Sequence, residues 1–265
     1  MKNLNQIIIE NVKKGMTRLQ AENYAAQSII LSKIANSTMK DKILLKGGVV
    51  MFNITKNLRR TTMDLDFDLV RYDISDQSIK SFVALLNKTK PLFNIELISS
   101  KPLKHQDYKG KRVVVQISDA EDSILFKMDI GVHTLFGIEQ STTVFYFEEN
   151  NEIILKINPP EQMVAEKLLS LGKIGPLSER YKDIYDIYYF INKRLLNKKK
   201  VTQCINLLLI DSPYDIATTN DLINRVEEVL LDDDFKEKAK NSKAKWIDES
   251  FDIVTNTIIN YIHKL

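Results

Sequence analysis

A chain of 265 residues, 44% hydrophobic and 28% charged, is long enough for one large domain or two small ones, and two lobes are expected. That composition excludes a disordered or low-complexity protein, and no apolar run is long enough to cross a membrane. The net charge of +3, with an isoelectric point near 8.7, permits contact with nucleic acid without demanding it.

The single cysteine, Cys204, lies in an apolar run and excludes a disulfide within the chain. No signal-peptide pattern precedes the first helical segment, and with one cysteine this predicts a cytoplasmic protein.

Residues 4–12 and 17–38 read as helices, the second starting at Thr17 with Tyr24, Ala25, Ile29, Ile30 and Ile34 near helical spacing. Ile43, Leu44 and Leu45 form a short buried strand that runs into Lys46-Gly47-Gly48, and residues 49–55 are apolar enough for a core-facing helix. Glycines lack a Cβ, so the backbone N–H groups of Gly47 and Gly48 can approach a phosphate at a helix N-terminus, with Lys46 adding a point charge.

Arg59 and Arg60 then precede an alternating strand. At strand period, Asp64, Asp66 and Asp68 point to one face, and Leu65, Phe67 and Leu69 to the other. Two carboxylates about 5 Å apart repel by roughly 3 kcal/mol at an effective dielectric of about 20. A divalent cation removes that repulsion, and an oxygen-only ligand set suits Mg²⁺ or Mn²⁺ completed by substrate phosphates. Acids on a solvated edge strand and a glycine pair in a plain turn are common singly. Their succession within one stretch is what points to phosphate chemistry.

Residues 74–86 form a further helix with Asp73 or Ser75 as cap. Strands follow at 95–99, 112–118, 124–132, 143–147 and 153–157, with turn chemistry at 109–110 and 150–151. Within residues 124–132, Phe126, Met128 and Ile130 share one face with Ile124 and Val132, leaving Asp129 on the opposite, working face. The N-terminal half is therefore α/β with a mixed sheet. Basic clusters at 56–60, 101–112 and 193–200 would suit an RNA backbone if they converge.

Asn158-Pro159-Pro160-Glu161 is a helix start with Asn158 as cap, and the lobe boundary is placed there, giving units of residues 1–157 and 158–265. Asp183 and Asp186 share a helix face broadly different from that of Ile184, Ile187 and Tyr188, so these acids need not be buried by the core. From residue 201 the chain is helix-rich with breaks near 212–213 and 242, and Asp232, Asp233 and Asp234 cap a helix rather than bind metal. Trp246, Phe251, Val254, Ile258 and Ile262 predict a terminal helix. His105, His133 and His263 show no ligand spacing, which argues against zinc.

Gly-Gly, a helix, then Asp-x-Asp on the next strand is the order of the polymerase-beta-type nucleotidyltransferase fold. Within it, Lys46-Gly47-Gly48 with Thr62-x-Asp64-Leu65-Asp66-Phe67 closely resembles the AbiEii/AbiGii toxin family. Ala165-Glu166-Lys167 on one helix and Lys182-Asp183-x-x-Asp186 on the next resemble that family's second signature. Gly48 stands where many polymerase-beta-like enzymes have serine, and the gap to Asp64 is longer, departures usual in the AbiEii-like branch.

The resemblance implies a nucleotidyltransferase domain followed by a helical lobe, with the active site in the cleft between them. Asp64, Asp66 and Asp129 would be the metal ligands, Asp129 alternatively taking the proton from the attacking hydroxyl. Lys46, Gly47, Gly48, Arg60, Thr62, Lys167 and Asp186 would meet the nucleotide, Arg60 alternatively lying on the surface. Asp183 would fix Lys167 or hold the acceptor. The implied activity is transfer of a nucleoside monophosphate from an NTP to an acceptor, the tRNA 3′ end in this family, by a toxin of a phage-defence (abortive infection) toxin–antitoxin pair. The antitoxin would be a separately encoded DNA-binding repressor, with or without direct contact to the toxin. Two rival readings are a protein-modifying, AMPylase-like transferase and a non-catalytic nucleotide- or RNA-binding module.

Overall fold

The computed structural model describes residues 2–89, 92–103, 110–147, 152–210 and 215–265. The turns expected at 109–110 and 150–151, the break at 212–213 and His105 therefore fall wholly or partly outside the described residues. The chain forms two compact units, Met1–Thr134 with Gln140–Asn158, and Leu135–Glu139 with Pro159–Leu265.

The first unit is built on a seven-stranded mixed sheet. Its elements are α1 (Leu4–Lys13), α2 (Arg18–Ala35), β1 (Ile43–Lys46), α3 (Gly47–Thr55), β2 (Asp64–Leu69), α4 (Asp76–Asn87), β3 (Asn94–Pro102), β4 (Gly110–Ser118), β5 (Ser123–Val132), β6 (Ser141–Tyr146) and β7 (Glu152–Ile157). The strand order is β3-β4-β5-β2-β1-β7-β6. β2 pairs parallel with β5 and antiparallel with β1, and β1 pairs parallel with β7.

Local chemistry accounts for the element ends. Thr17 caps α2 in a reciprocal box with Gln20, and Ser75 caps α4 by accepting from the Ser78 N–H. Leu65, Phe67 and Leu69 of β2 are fully buried, with the Phe67 ring 5.8 Å from Phe82 of α4. The buried ammonium of Lys33 in α2 donates to the carbonyl of Thr89 at 2.7 Å, satisfying an acceptor just beyond the end of α4.

The second unit contains α5 (Pro160–Ile174), α6 (Tyr181–Asn192), α7 (Lys198–Leu209), α8 (Thr219–Leu231), α9 (Asp233–Asn241) and α10 (Phe251–Ile262). α5 packs on α6, α7 and α8, and α10 on α6. Asp232 caps α9 by accepting from Phe235 N–H at 2.8 Å. Cys204 is buried, and burial pushes its thiol up to about 12, the behaviour of a packing residue rather than a nucleophile. Among the described residues no helix is long and apolar enough to cross a membrane.

Two expectations are corrected. Asn158 is not the cap of α5: its backbone N–H extends the sheet by donating to Leu45 O at 2.9 Å, and Pro159 takes the cap position without a side-chain bond. Trp246 lies in the irregular segment before α10, not on it. Helix-face counting left the burial of Asp183 and Asp186 open; both are buried, and cationic and indole donors meet them there.

Phe67→Ala removes an aromatic side chain from the centre of the first core, and about 3–5 kcal/mol of stability should go with it, read as a lower urea midpoint.

Candidate active site

Strand register assembles the acids. Lys46 lies opposite Asp66 across β1 and β2, Asp66 opposite Asp129 across β2 and β5, and Asp129 opposite Arg112 across β5 and β4. Paired residues project from the same face of a sheet, so four strands carry one row of alternating character: cation, acid, acid, cation. Asp64, one step along β2, joins them. One carboxylate oxygen from each of Asp64, Asp66 and Asp129 lies within 4.8 Å of the others, and all three residues are half-buried.

Neighbours fix each acid. Thr62 Oγ1 donates to Asp64 Oδ1 at 2.7 Å. The Gln27 amide of α2 donates to the backbone oxygens of Thr62 and Asp64 at 3.2 and 2.9 Å, tying the approach to β2 onto that helix. Gly47 and Gly48 open α3, and Gly47 has a φ of +66°. A Cβ at Gly47 would collide with the Asp66 carboxylate, and one at Gly48 with the Thr62 side chain. Both glycines thus make room for acid-site side chains as well as presenting N–H groups at a helix start.

Two of the expected residues have contacts that the sequence did not reveal. Lys46 Nζ lies 2.6 Å from Asp68 Oδ1, with both side chains largely buried, so the third acid of β2 is neutralised in place and stands apart from the other three. Arg60, in a short 3-10 turn at Leu58–Arg60, is buried, which removes its surface alternative.

Arg112 was not anticipated. Its Nε and Nη2 donate to the two oxygens of Asp129 at 2.8 and 2.7 Å. The hydrogen bond to Asp129 and that residue's charge, with further help from Asp64 and Asp66, hold the guanidinium protonated even more firmly than usual. A signal existed: once Ser118 and Ser123 are paired around the tight 119–122 connection, antiparallel counting brings Arg112 opposite Asp129.

The helical unit holds a second charged group. Lys167 of α5 donates to Asp183 Oδ1 of α6 and lies 2.9 Å from Asp186 Oδ2. Arg180 donates to the other oxygen of Asp183, and Trp246 Nε1 to Asp186 Oδ1 at 3.1 Å. Burial alone would raise the Asp183 pKa, but Lys167 and Arg180 outweigh it and hold the carboxyl below its ordinary 3.8.

Two consequences are measurable. Lys46→Met leaves Asp68 buried without this ammonium and should cost about 3–5 kcal/mol in chemical denaturation, much of it recovered in the Lys46→Met/Asp68→Leu double variant. Asp183 is more acidic folded than unfolded, so its pairing stabilises the protein fully above the ordinary carboxylate pKa and is lost as pH falls through the depressed folded value. Asp183→Asn should therefore lose about 3 kcal/mol near neutrality and progressively less below pH 4, as read by urea unfolding across pH.

A family model described as nucleotidyl transferase AbiEii toxin, Type IV TA system, matches residues 29–254. Solved structures similar to the chain include that of JHP933 from Helicobacter pylori, 15% identical over 94% of this chain and 95% of that one, with a TM-score of 0.47. Another is a proposed nucleotidyltransferase from H. pylori, 16% identical over 90% and 93% of the two chains, with a TM-score of 0.43. A comparison with curated proteins finds no match.

Proposed function

We infer the reaction of this chain from its family: it belongs to the AbiEii nucleotidyl transferase toxins of Type IV toxin–antitoxin systems. The reaction is transfer of a nucleoside monophosphate from an NTP to an acceptor hydroxyl, with release of pyrophosphate. The observation that carries this reading is the group of three carboxylates on the paired strands β2 and β5, beside a helix that opens with two glycines.

The donor set fits a hard divalent cation, since it offers carboxylate oxygens only, held close enough together to share one ion. Asp64 and Asp66 would hold Mg²⁺ or Mn²⁺, with Asp129 as third ligand. Such an ion, when bound, neutralises charge on the triphosphate as the bond to the leaving pyrophosphate breaks. The chain's own groups do the rest. The Gly47 and Gly48 N–H groups orient the phosphates and Thr62 keeps the Asp64 carboxylate aimed; the alternative to Asp129 as third ligand is that it accepts the proton as the acceptor oxygen bonds to the α-phosphorus. Lys46 acts by fixing Asp68 and balancing the row. Lys167 supplies the ammonium of the second signature, with Asp183 and Asp186 setting its position.

The acceptor is read as the 3′ end of tRNA in the cytoplasm, on the strength of the sequence resemblance, and the antitoxin as a separately encoded DNA-binding repressor. Purified protein is incubated with each α-³²P-labelled NTP, Mg²⁺ and total RNA or cell lysate, beside Asp66→Ala. Label on tRNA-sized RNA that drops at least about a hundredfold in the variant is the expected result. Label on protein would replace the acceptor with a side-chain hydroxyl. No label with any NTP, under conditions where the protein is toxic, would remove catalysis by this site.

A further inference from the structure

We propose that Arg112 is a built-in counter-cation of the acid group: it holds Asp129 while the site is empty, and yields it when a divalent cation arrives with a triphosphate, turning its guanidinium to the phosphates. The inference rests on the reading of Asp64, Asp66 and Asp129 as the metal site.

The geometry of the pair is the first argument. The guanidinium engages both oxygens of Asp129, at 2.8 and 2.7 Å, in the two-point fork that suits a carboxylate best. A divalent cation shared among the three acids needs one of those oxygens, which lies within 4.8 Å of its counterparts on Asp64 and Asp66. Holding the fork and the cation together would press two positive charges against each other across a single carboxylate, so they compete.

Exposure is the second argument. The Arg112 side chain is 52% exposed over an Asp129 that is only 14% exposed. It lies on the solvent side of its partner and has less packing to give up in swinging away than a buried side chain would. The Lys46–Asp68 pair in the same row differs in this respect, with side chains 14% and 8% exposed, and is built to stay.

Charge is the third. A divalent cation brings two positive charges to the acids. A triphosphate adds more negative charge than that cation neutralises, and the released guanidinium is a ready second cation beside it. Arg112 therefore disfavours the bare ion and favours the ion together with its polyphosphate.

The test uses the full-length protein, Mn²⁺ and inorganic tripolyphosphate, with binding followed by the EPR signal of free Mn²⁺ and by calorimetry. Arg112→Gln should bind Mn²⁺ alone about five- to tenfold more tightly than wild type, and Mn²⁺-tripolyphosphate about five- to tenfold more weakly. Arg112→Lys, which keeps the charge and loses the fork, should move both affinities in the same two directions by less, and serves if the glutamine variant does not fold. A residue that merely braces the β4–β5 pair would lower both affinities or change neither, and either result overturns the proposal. Asp66→Asn separates the two levels: Mn²⁺ binding that survives it overturns the metal-site reading and this inference with it. Binding that Asp66→Asn abolishes but Arg112→Gln leaves unchanged overturns the role of Arg112 alone.

Discussion

Like charges held side by side on neighbouring strands are the constraint on which the rest of the first unit turns. In-register parallel pairing of β2 with β5 places Asp66 beside Asp129, and alternation along β2 adds Asp64 to the same face. At spacings of about 5 Å each such contact opposes folding by roughly 3 kcal/mol at an effective dielectric of about 20. The same register supplies the relief. β1 brings Lys46 to one end of the row and β4 brings Arg112 to the other, so the acids are flanked by cations on both sides.

Much of the surrounding architecture can be understood as keeping that row in place. The opposite face of β2 is buried apolar surface, so a one-residue slip would bury the acids and expose Phe67, which pins the register. α2 grips the entrance to the strand through Gln20, bonded to Thr61 at 2.8 Å, and through Gln27. Gly47 and Gly48 permit α3 to start immediately against Asp66 and Thr62. The helical unit solves a comparable problem differently. There Lys167 is taken out of water between two carboxylates, and Arg180 and Trp246 satisfy the remaining oxygens.

What was legible in the sequence follows the range of the physics involved. Period-two alternation in β2 and β5 is a local property, and it put Asp64, Asp66 and Asp129 on the faces opposite the apolar ones, where the structure brings them together. The caps at Thr17, Ser75 and Asp232 are equally local. The mixed α/β class and the family likewise followed from short motifs in order. Interactions that needed pairing partners were less accessible. Arg112 gains meaning only from the β4–β5 register, and the bond of Lys46 to Asp68 crosses two strands, beyond the reach of local pattern. The burial of Asp186 depends on an indole 60 residues away, and helix-face counting had no means to foresee it. Asn158 misled for a related reason: its residue type suits a cap, but a ladder bond to Leu45 had prior claim on its backbone.

The account stands on the claim that Asp64, Asp66 and Asp129 hold a divalent cation for nucleotidyl transfer. The most direct measurement is anomalous diffraction from crystals grown with Mn²⁺ and a non-hydrolysable nucleoside triphosphate. The account predicts an anomalous peak about 2.1 Å from oxygens of both Asp64 and Asp66, with a phosphate oxygen in the same shell. Nucleotide bound elsewhere, with no Mn²⁺ at these carboxylates, would contradict it.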